Sequence, residues 1–402
     1  MAIAGLGWMG VLQFVFKTFS IVKFAIIARV LTSYELGIFG ITILVLGLIE
    51  TFTEFGMSSF LIQHKKNIKP YIPSIFSVQV VRGTLLSFTI ILLSYPISIF
   101  FHEPSTLNLM LLTAFIPLIK AFENPYVSVL QKDLSFGKDF VYRAAGYLAE
   151  LILALFFVWY FRSTQGLLIA LIFSTLFSVL VSWIVIQGVF KLEFRIKKIK
   201  EILAFSKWIS ILGIFSYITN QLDAFVIGRF MGASSLGYYQ VSQKFSLNPM
   251  MDVSSTFGKV AFPIYSKFSD DKSRLKRAFF RNFIALCLLE GSFFIVCFLF
   301  PELILRILAG EKWMAMKDVF RLLALYGFLF SVWGSIGALF YSLKKQNALA
   351  FIMLVRLAVL VPSVFFGVQK AGLAGVVWAL LLSLIVILPL SFLRVKKEFS
   401  NK

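Results

Sequence analysis

The chain has 402 residues; 59% are hydrophobic, only 14% are charged, and the formal net charge is +20. Soluble domains carry charge on about a quarter of their residues, so a soluble fold is excluded and a polytopic, all-α membrane protein is indicated. The positive charge does not mark a nucleic-acid partner, because Lys and Arg gather in short loops between apolar runs, the positive-inside pattern.

About twelve apolar runs are long enough to cross ~30 Å of hydrocarbon as helices: 8–30, 37–62, 71–100, 105–127, 140–161, 166–190, 203–228, 235–263, 278–305, 314–341, 346–368 and 372–393. The first carries FVFKTFSIVKFAIIAR, with Lys17 and Lys23 well inside it. The second carries Glu50 and Glu54, four residues apart and therefore on one helical face. By depth, Glu50 suits Lys23 as a partner and Glu54 suits Lys17. Arg82, Glu150, Glu290 and Arg356 lie near the middle of the third, fifth, ninth and eleventh runs. TNQLD at 219–223 places Asp223 in the outer half of the seventh, a candidate sodium or proton site. Asn248-Pro249 is expected to break the eighth run just before Asp252, because unwound backbone near a cavity coordinates ions. Lys120, Lys207, Lys244 and Lys259 lie nearer the cytoplasmic ends and are assigned to anchoring. Charges inside a membrane are costly and usually face a bundle interior or a watery cavity. Such residues either line a binding cavity or neutralise one another in structural pairs. Paired buried charges add little net stability, so the set as a whole points to a cavity.

Loops such as HKKNIKP, KLEFRIKKIKE and SKFSDDKSRLKR alternate with loops that offer Arg162, Lys312 and Lys370. This asymmetry predicts two cytoplasmic termini. The outer loops are too short for a domain, which disfavours a polymerase or ligase, and no GxxxxGK[ST] is present to suggest an ATP-driven pump. Neither a catalytic constellation nor a metal-ligand set is expected. Cys287 and Cys297 read as small core residues, and His64 and His102 as loop residues. The N-terminus lacks the basic region of a cleavable signal peptide.

The two halves resemble each other. ARVLTSYELGIF at 28–39 matches GRFMGASSLGYY at 228–239, and EFGMSSFLI at 54–62 matches TFGKVAFPI at 256–264. The two added residues fall near Asn248-Pro249. Six runs per half predict a parallel repeat: an N-terminal six-helix bundle at 1–190, a cytoplasmic linker at 191–202 and a C-terminal six-helix bundle at 203–402. Two such bundles are expected to be related by a pseudo-twofold along the membrane normal and to rock around a central cavity. Laying one half on the other aligns Lys23 with Asp223, Arg82 with Glu290 and Glu150 with Arg356, the sign reversed each time. Glu50 meets Asp252 with the sign kept.

ARVLTSYELGIF followed by EFGMSSFLIQ, then VLQKDLSF, TNQLDAFVIGRFMGASSLGYY, FPIYSKFSDDKSRLKRAF and AGEKWMAMKDVFRLLALYG, resemble in order and spacing the Wzx-type oligosaccharide flippases of the multidrug/oligosaccharidyl-lipid/polysaccharide exporter superfamily. The resemblance implies a cargo, an oligosaccharide on undecaprenyl pyrophosphate, moved across the bacterial inner membrane without a cofactor and with coupling to a proton or sodium gradient. It implies that Lys17 and Lys23 meet the pyrophosphate. Arg82 and Arg356 join them as candidate substrate contacts, and Glu50, Glu54, Glu150, Asp223, Asp252 and Glu290 are candidates for ion coupling or ion pairing. A polysaccharide polymerase and assembly proteins are the implied partners. Many members of the family have fourteen spans where this chain has about twelve, and MAIAGLGW lacks the basic residues usual before the first helix. Two other readings stand beside it: a cation-coupled multidrug exporter, which calls for an acidic or aromatic cavity, and a flippase for the peptidoglycan precursor, whose head group is also a pyrophosphate.

Overall fold

The computed structural model describes residues 2–52, 60–61, 68–133, 135–186, 188 and 191–400, with the side chains of 2–14, 69, 131, 136 and 203–212 left aside. Glu54 and most of EFGMSSFLI lie outside the described residues. All regular structure among the described residues is helical. The α-helices are α1 Ala2–Val30, α2 Ser33–Phe52, α3 Ile72–Phe100, α4 Thr106–Thr113, α5 Phe115–Lys120, α6 Val127–Lys132, α7 Phe136–Phe161, α8 Thr164–Val185, α9 Ile196–Ser242, α10 Asn248–Lys267, α11 Lys272–Leu299, α12 Pro301–Leu308, α13 Lys317–Ser342 and α14 Gln346–Ser400. Seven helices among the described residues are long and apolar enough to cross a membrane. One of the seven, α14, covers two expected runs, because its helical dihedrals fail at Ala371 and Gly372. There Gly367 and Gly375 each press against the other's backbone. The expected fourth run is divided between α4 and α5.

The chain forms two compact units: a first of Met1–Gln221 with Gly232–Gly237, and a second of Leu222–Met231 with Tyr238–Lys402. The segment expected as a linker has no regular structure at 191–195 and turns helical from Ile196.

Local chemistry explains the breaks. Thr32-Ser-Tyr-Glu35 is a capping box: Thr32 Oγ1 accepts from the Glu35 amide at 3.2 Å, and Glu35 Oε2 accepts from the Thr32 amide at 2.8 Å. This stops α1 and starts α2. Two hundred residues on, Gly232 breaks α9 with φ 81°, a left-handed value that glycine adopts at no steric cost. The amide of Ala233 is then taken by Glu103 Oε1 at 3.1 Å. The last turn of α8 exposes carbonyls with no partner inside the helix. Asn124, fully buried, donates Nδ2 to the carbonyls of Ser182 and Ile186 at 3.3 and 2.9 Å.

Lipid is as apolar as leucine, so close packing of small residues, rather than water exclusion, holds helices together. Large apolar side chains such as Phe88, Leu92, Trp159 and Ile184 are accordingly exposed. In the first unit, Ser33 and Gly37 cross their own repeat equivalents, Ala233 and Gly237, backbone against backbone. The helical break expected at Asn248-Pro249 is not an unwinding. A wide π-helical turn at Gln243–Leu247 leads directly into α10, which lets the chain absorb an inserted residue and the proline's missing N–H without leaving the helix.

Candidate functional site

In the first unit, α1, α2, α5, α7 and α8 enclose a cavity of about 690 Å³. Three cations line it, Lys23, Lys120 and Arg143, together with three carboxylates, Glu50, Glu123 and Glu150. Lys23 Nζ lies 2.5 Å from Glu150 Oε1, joining α1 to α7. Lys120 Nζ lies 3.6 Å from Glu50 Oε1, joining α5 to α2. Arg143 Nε donates to both oxygens of Asp139 at 2.9 Å, and the Tyr142 hydroxyl donates to Glu123. Ser174, Thr175 and Ser178 of α8 add hydroxyls to the wall. A neighbouring cavity of about 320 Å³ is shared by Arg82, Glu50, Lys120 and Glu123. There Arg82 Nη2 donates to the Glu50 carbonyl oxygen at 2.9 Å.

Three expectations change. Lys23 pairs with Glu150 rather than Glu50, because depth along a helix leaves its azimuth open. Lys120 is a wall residue paired with Glu50 rather than an anchor, since the cavity reaches down to the end of α5. Lys17 is exposed on α1 and outside the lining of the cavity. Six residues separate it from Lys23, which at 100° per residue puts the two about 120° apart around the helix. The wall is therefore not a purely cationic one: its three cations face three carboxylates. Glu123, Tyr142 and Arg143 carry no such signal in the sequence, because they sit near the ends of their apolar runs, where charge is ordinary.

The second unit holds a closed cluster. The Tyr239 hydroxyl donates to Asp223 Oδ2, Gln243 Nε2 donates to the same oxygen at 3.3 Å, and the Ala224 amide donates to Oδ1 at 2.9 Å. Arg356 Nη2 donates to the Tyr326 hydroxyl at 2.7 Å, and its guanidinium lies over the rings of Phe330 and Trp333 at 5.1 and 5.5 Å. Asp223, Tyr239, Tyr326 and Arg356 are all buried, so Arg356 is shut in by aromatic rings rather than set on an open wall. Asp223 is the repeat equivalent of Lys23, and Arg356 that of Glu150. The pair that touches directly in the first unit thus has counterparts of reversed sign in the second, each bonded to a tyrosine. Glu290, the counterpart of Arg82, is buried in α11, and neither carboxyl oxygen meets a hydrogen-bond partner among the described residues. Asp252 is half-buried in α10. A further cavity of about 780 Å³ in this unit is lined by Phe262, Phe330, Trp333, Tyr341, Ser254 and Lys259, among others.

Comparison with known proteins fits these observations. The lipopolysaccharide biosynthesis protein WzxC of Escherichia coli K12 is 22% identical over 395 residues, covering 97% of this chain and 80% of that protein. Among solved structures, the lipid II flippase MurJ in an inward closed conformation superposes with a TM-score of 0.77 at 17% identity, over 97% of this chain and 88% of that one. An inward-facing multidrug resistance MATE family transporter of the MOP superfamily superposes with a TM-score of 0.69 at 14% identity, over 96% and 95%. At these identities the likeness to solved structures is one of fold. The fold is the one shared by these two membrane transporters. The profile of the polysaccharide biosynthesis protein family matches residues 26–318, and the chain belongs to that family, as its resemblance to Wzx-type flippases implies.

Proposed function

We propose that this protein moves an undecaprenyl-pyrophosphate-linked oligosaccharide repeat unit, of the O-antigen, capsule or exopolysaccharide kind, from the cytoplasmic to the outer leaflet of the bacterial inner membrane by alternating access. The observation that carries this reading is Lys23, an ammonium group held on α1 in the wall of a cavity of about 690 Å³ between apolar helices. In such surroundings an ammonium–phosphate contact is stronger than in water. Lys17 and Arg82 add positive charge on the way in, while the lipid tail stays in the bilayer. Both termini face the cytoplasm. Glu50, Glu54, Glu150, Asp223, Asp252 and Glu290 are the groups through which a proton or sodium gradient drives the cycle, and a polysaccharide polymerase with its assembly proteins receives the flipped unit.

Deleting the gene tests the reading. Surface polysaccharide should be lost while lipid-linked repeat units accumulate on the cytoplasmic side; loss without accumulation would argue against a flippase. In the complemented strain, Lys23→Ala should cut export about tenfold or more, the scale of one charge-assisted contact, and Lys23→Arg should restore part of it. Wild-type export by Lys23→Ala would remove Lys23 from the cargo site.

A further inference from the structure

Every described cation in the wall of the first unit's cavity is matched by a carboxylate before any cargo arrives: Lys23 has Glu150, Lys120 has Glu50, and Arg143 has Asp139. A pyrophosphate diester brings about two more negative charges into low dielectric, where unpaired charge is costly. Cargo and carboxylate therefore compete for the same ammonium group.

We propose that Glu150 is an internal counter-anion that occupies the phosphate position on Lys23, and that cargo loads by exchange, its pyrophosphate displacing Glu150 from Nζ. The inference rests on the flippase reading and adds a positioning residue to it. Four observations single out this pair. Glu150 Oε1 stands 2.5 Å from Nζ, where a phosphate oxygen would stand. The contact is reachable, with the Lys23 and Glu150 side chains 18% and 36% exposed. The two residues also line a second void of about 140 Å³ with Phe16, Phe19 and Tyr147, so open space borders the pair on more than one side. Finally, Gly146 and Ala154, one helical turn before and after Glu150, both line the main cavity, so the cavity runs past the carboxylate in both directions along α7.

The other pairs are built differently. Asp139 is buried and grips Arg143 through both oxygens within one turn of α7, so it is fixed. Lys120 and Glu50 stand 3.6 Å apart, a looser contact that leaves Lys120 open to help an incoming anion. The repeat supplies an internal comparison. Asp223 and Arg356, the equivalents of Lys23 and Glu150, are both buried and each is bonded to a tyrosine, so no exchange is possible there without dismantling the cluster. Exchange belongs to the first unit alone.

Exchange makes a prediction opposite in sign to that for a merely structural salt bridge. Removing the Glu150 charge should strengthen anion binding, because the lysine is no longer taken. The apparent affinity of a site scales with the fraction of time it is free. An ion pair that leaves Lys23 free about a tenth of the time gives about a tenfold gain on its removal, equivalent to about 1.4 kcal/mol.

The test uses the purified full chain in lipid nanodiscs, with farnesyl pyrophosphate as probe and farnesol as its neutral control. Wild type should bind the pyrophosphate more tightly than farnesol, and Lys23→Met should abolish the difference. Glu150→Gln should bind it about tenfold more tightly than wild type yet export polysaccharide more slowly in cells, because nothing expels the anion from Lys23. Glu150→Asp, which keeps the charge on a shorter arm, should fall between, and it serves in place of the glutamine variant if that does not fold. Affinity in Glu150→Gln or Glu150→Asp that is unchanged or weaker, with Lys23 still required, overturns the exchange while leaving the flippase reading intact. No preference of the wild type for the pyrophosphate over farnesol overturns both.

Discussion

The crossing of Ser33–Gly37 with Ala233–Gly237 offers a sharp test, because its strain can be worked out from the backbone. A Cβ added at Gly237 lies 2.8 Å from the carbonyl carbon of Ser33 and 2.9 Å from the amide nitrogen of Gly37, and closer still to the Ser33 oxygen. All three are backbone atoms of α2, so no side chain can rotate out of the way. Overpacking of this kind costs about 1–3 kcal/mol. Replacing a helical glycine with alanine otherwise gains up to about 1 kcal/mol. The net for Gly237→Ala is a loss of up to about 2 kcal/mol. Gly258 of α10 is the control: a Cβ there meets nothing within 4 Å, so Gly258→Ala should keep the gain. Unfolding in mixed micelles titrated with SDS, followed by tryptophan fluorescence, should therefore separate the two variants by about 1–3 kcal/mol, with Gly237→Ala the less stable. If Gly237→Ala resists SDS as well as Gly258→Ala, the backbone contact is not as close as described, and the repeat's crossing point is misplaced.

The buried charges of the second unit and one of the strained residues of the first, Arg162, give two more expectations. Arg356→Met removes the charge-assisted hydrogen bond to Tyr326 and should cost about 1.5–3 kcal/mol, with Asp223→Asn in the same chain recovering part of it; a double variant no more stable than the single would show that the two charges do not feel each other. Arg162 ends α7 with φ 47°, a conformation that costs a non-glycine residue about 1–2 kcal/mol, so Arg162→Gly should raise the unfolding midpoint in the same micelle titration, and a drop would mean that its side chain holds the α7–α8 turn by contacts worth more than the strain.

Much of this molecule could be read from its sequence because two signals are strong in a membrane protein. Apolar runs mark where helices lie, and helices occupy the expected runs among the described residues. Charges inside those runs are rare enough that each one is informative, and Lys23, Glu50 and Glu150 do line one cavity. What sequence left open was azimuth. Depth along two antiparallel helices nominates Glu50 for Lys23, but which face of α2 or α7 turns toward α1 depends on packing between helices, and packing selected Glu150. The same gap hides that Lys17 and Lys23, both expected at the pyrophosphate, point about 120° apart. Lys120 was misread for a different reason: a lysine near the cytoplasmic end of a run has an ordinary explanation as an anchor, and only the shape of the cavity shows that this one has company.

The repeat carried information that neither signal held alone. Taken one at a time, Lys23 over Asp223 and Glu150 over Arg356 are two mismatches, each of which weakens an alignment of the halves. Once Lys23 and Glu150 are seen in contact, the two mismatches become a single event. An attraction between opposite charges depends on the product of the signs and survives when both are reversed, whereas reversing one alone sets like charges together, which is costly in low dielectric. Positions that change sign together across a duplication are therefore expected to be partners, and Asp223 and Arg356 do belong to one buried cluster. The difference between the copies then lies in access rather than charge. Each charged group of the second unit is buried and held by a tyrosine, whereas Lys23 and Glu150 meet directly beside open space. The third reversed pair differs in its surroundings too: Arg82 donates to the main-chain carbonyl of Glu50, which carries no sign to exchange, and Glu290 is buried in α11.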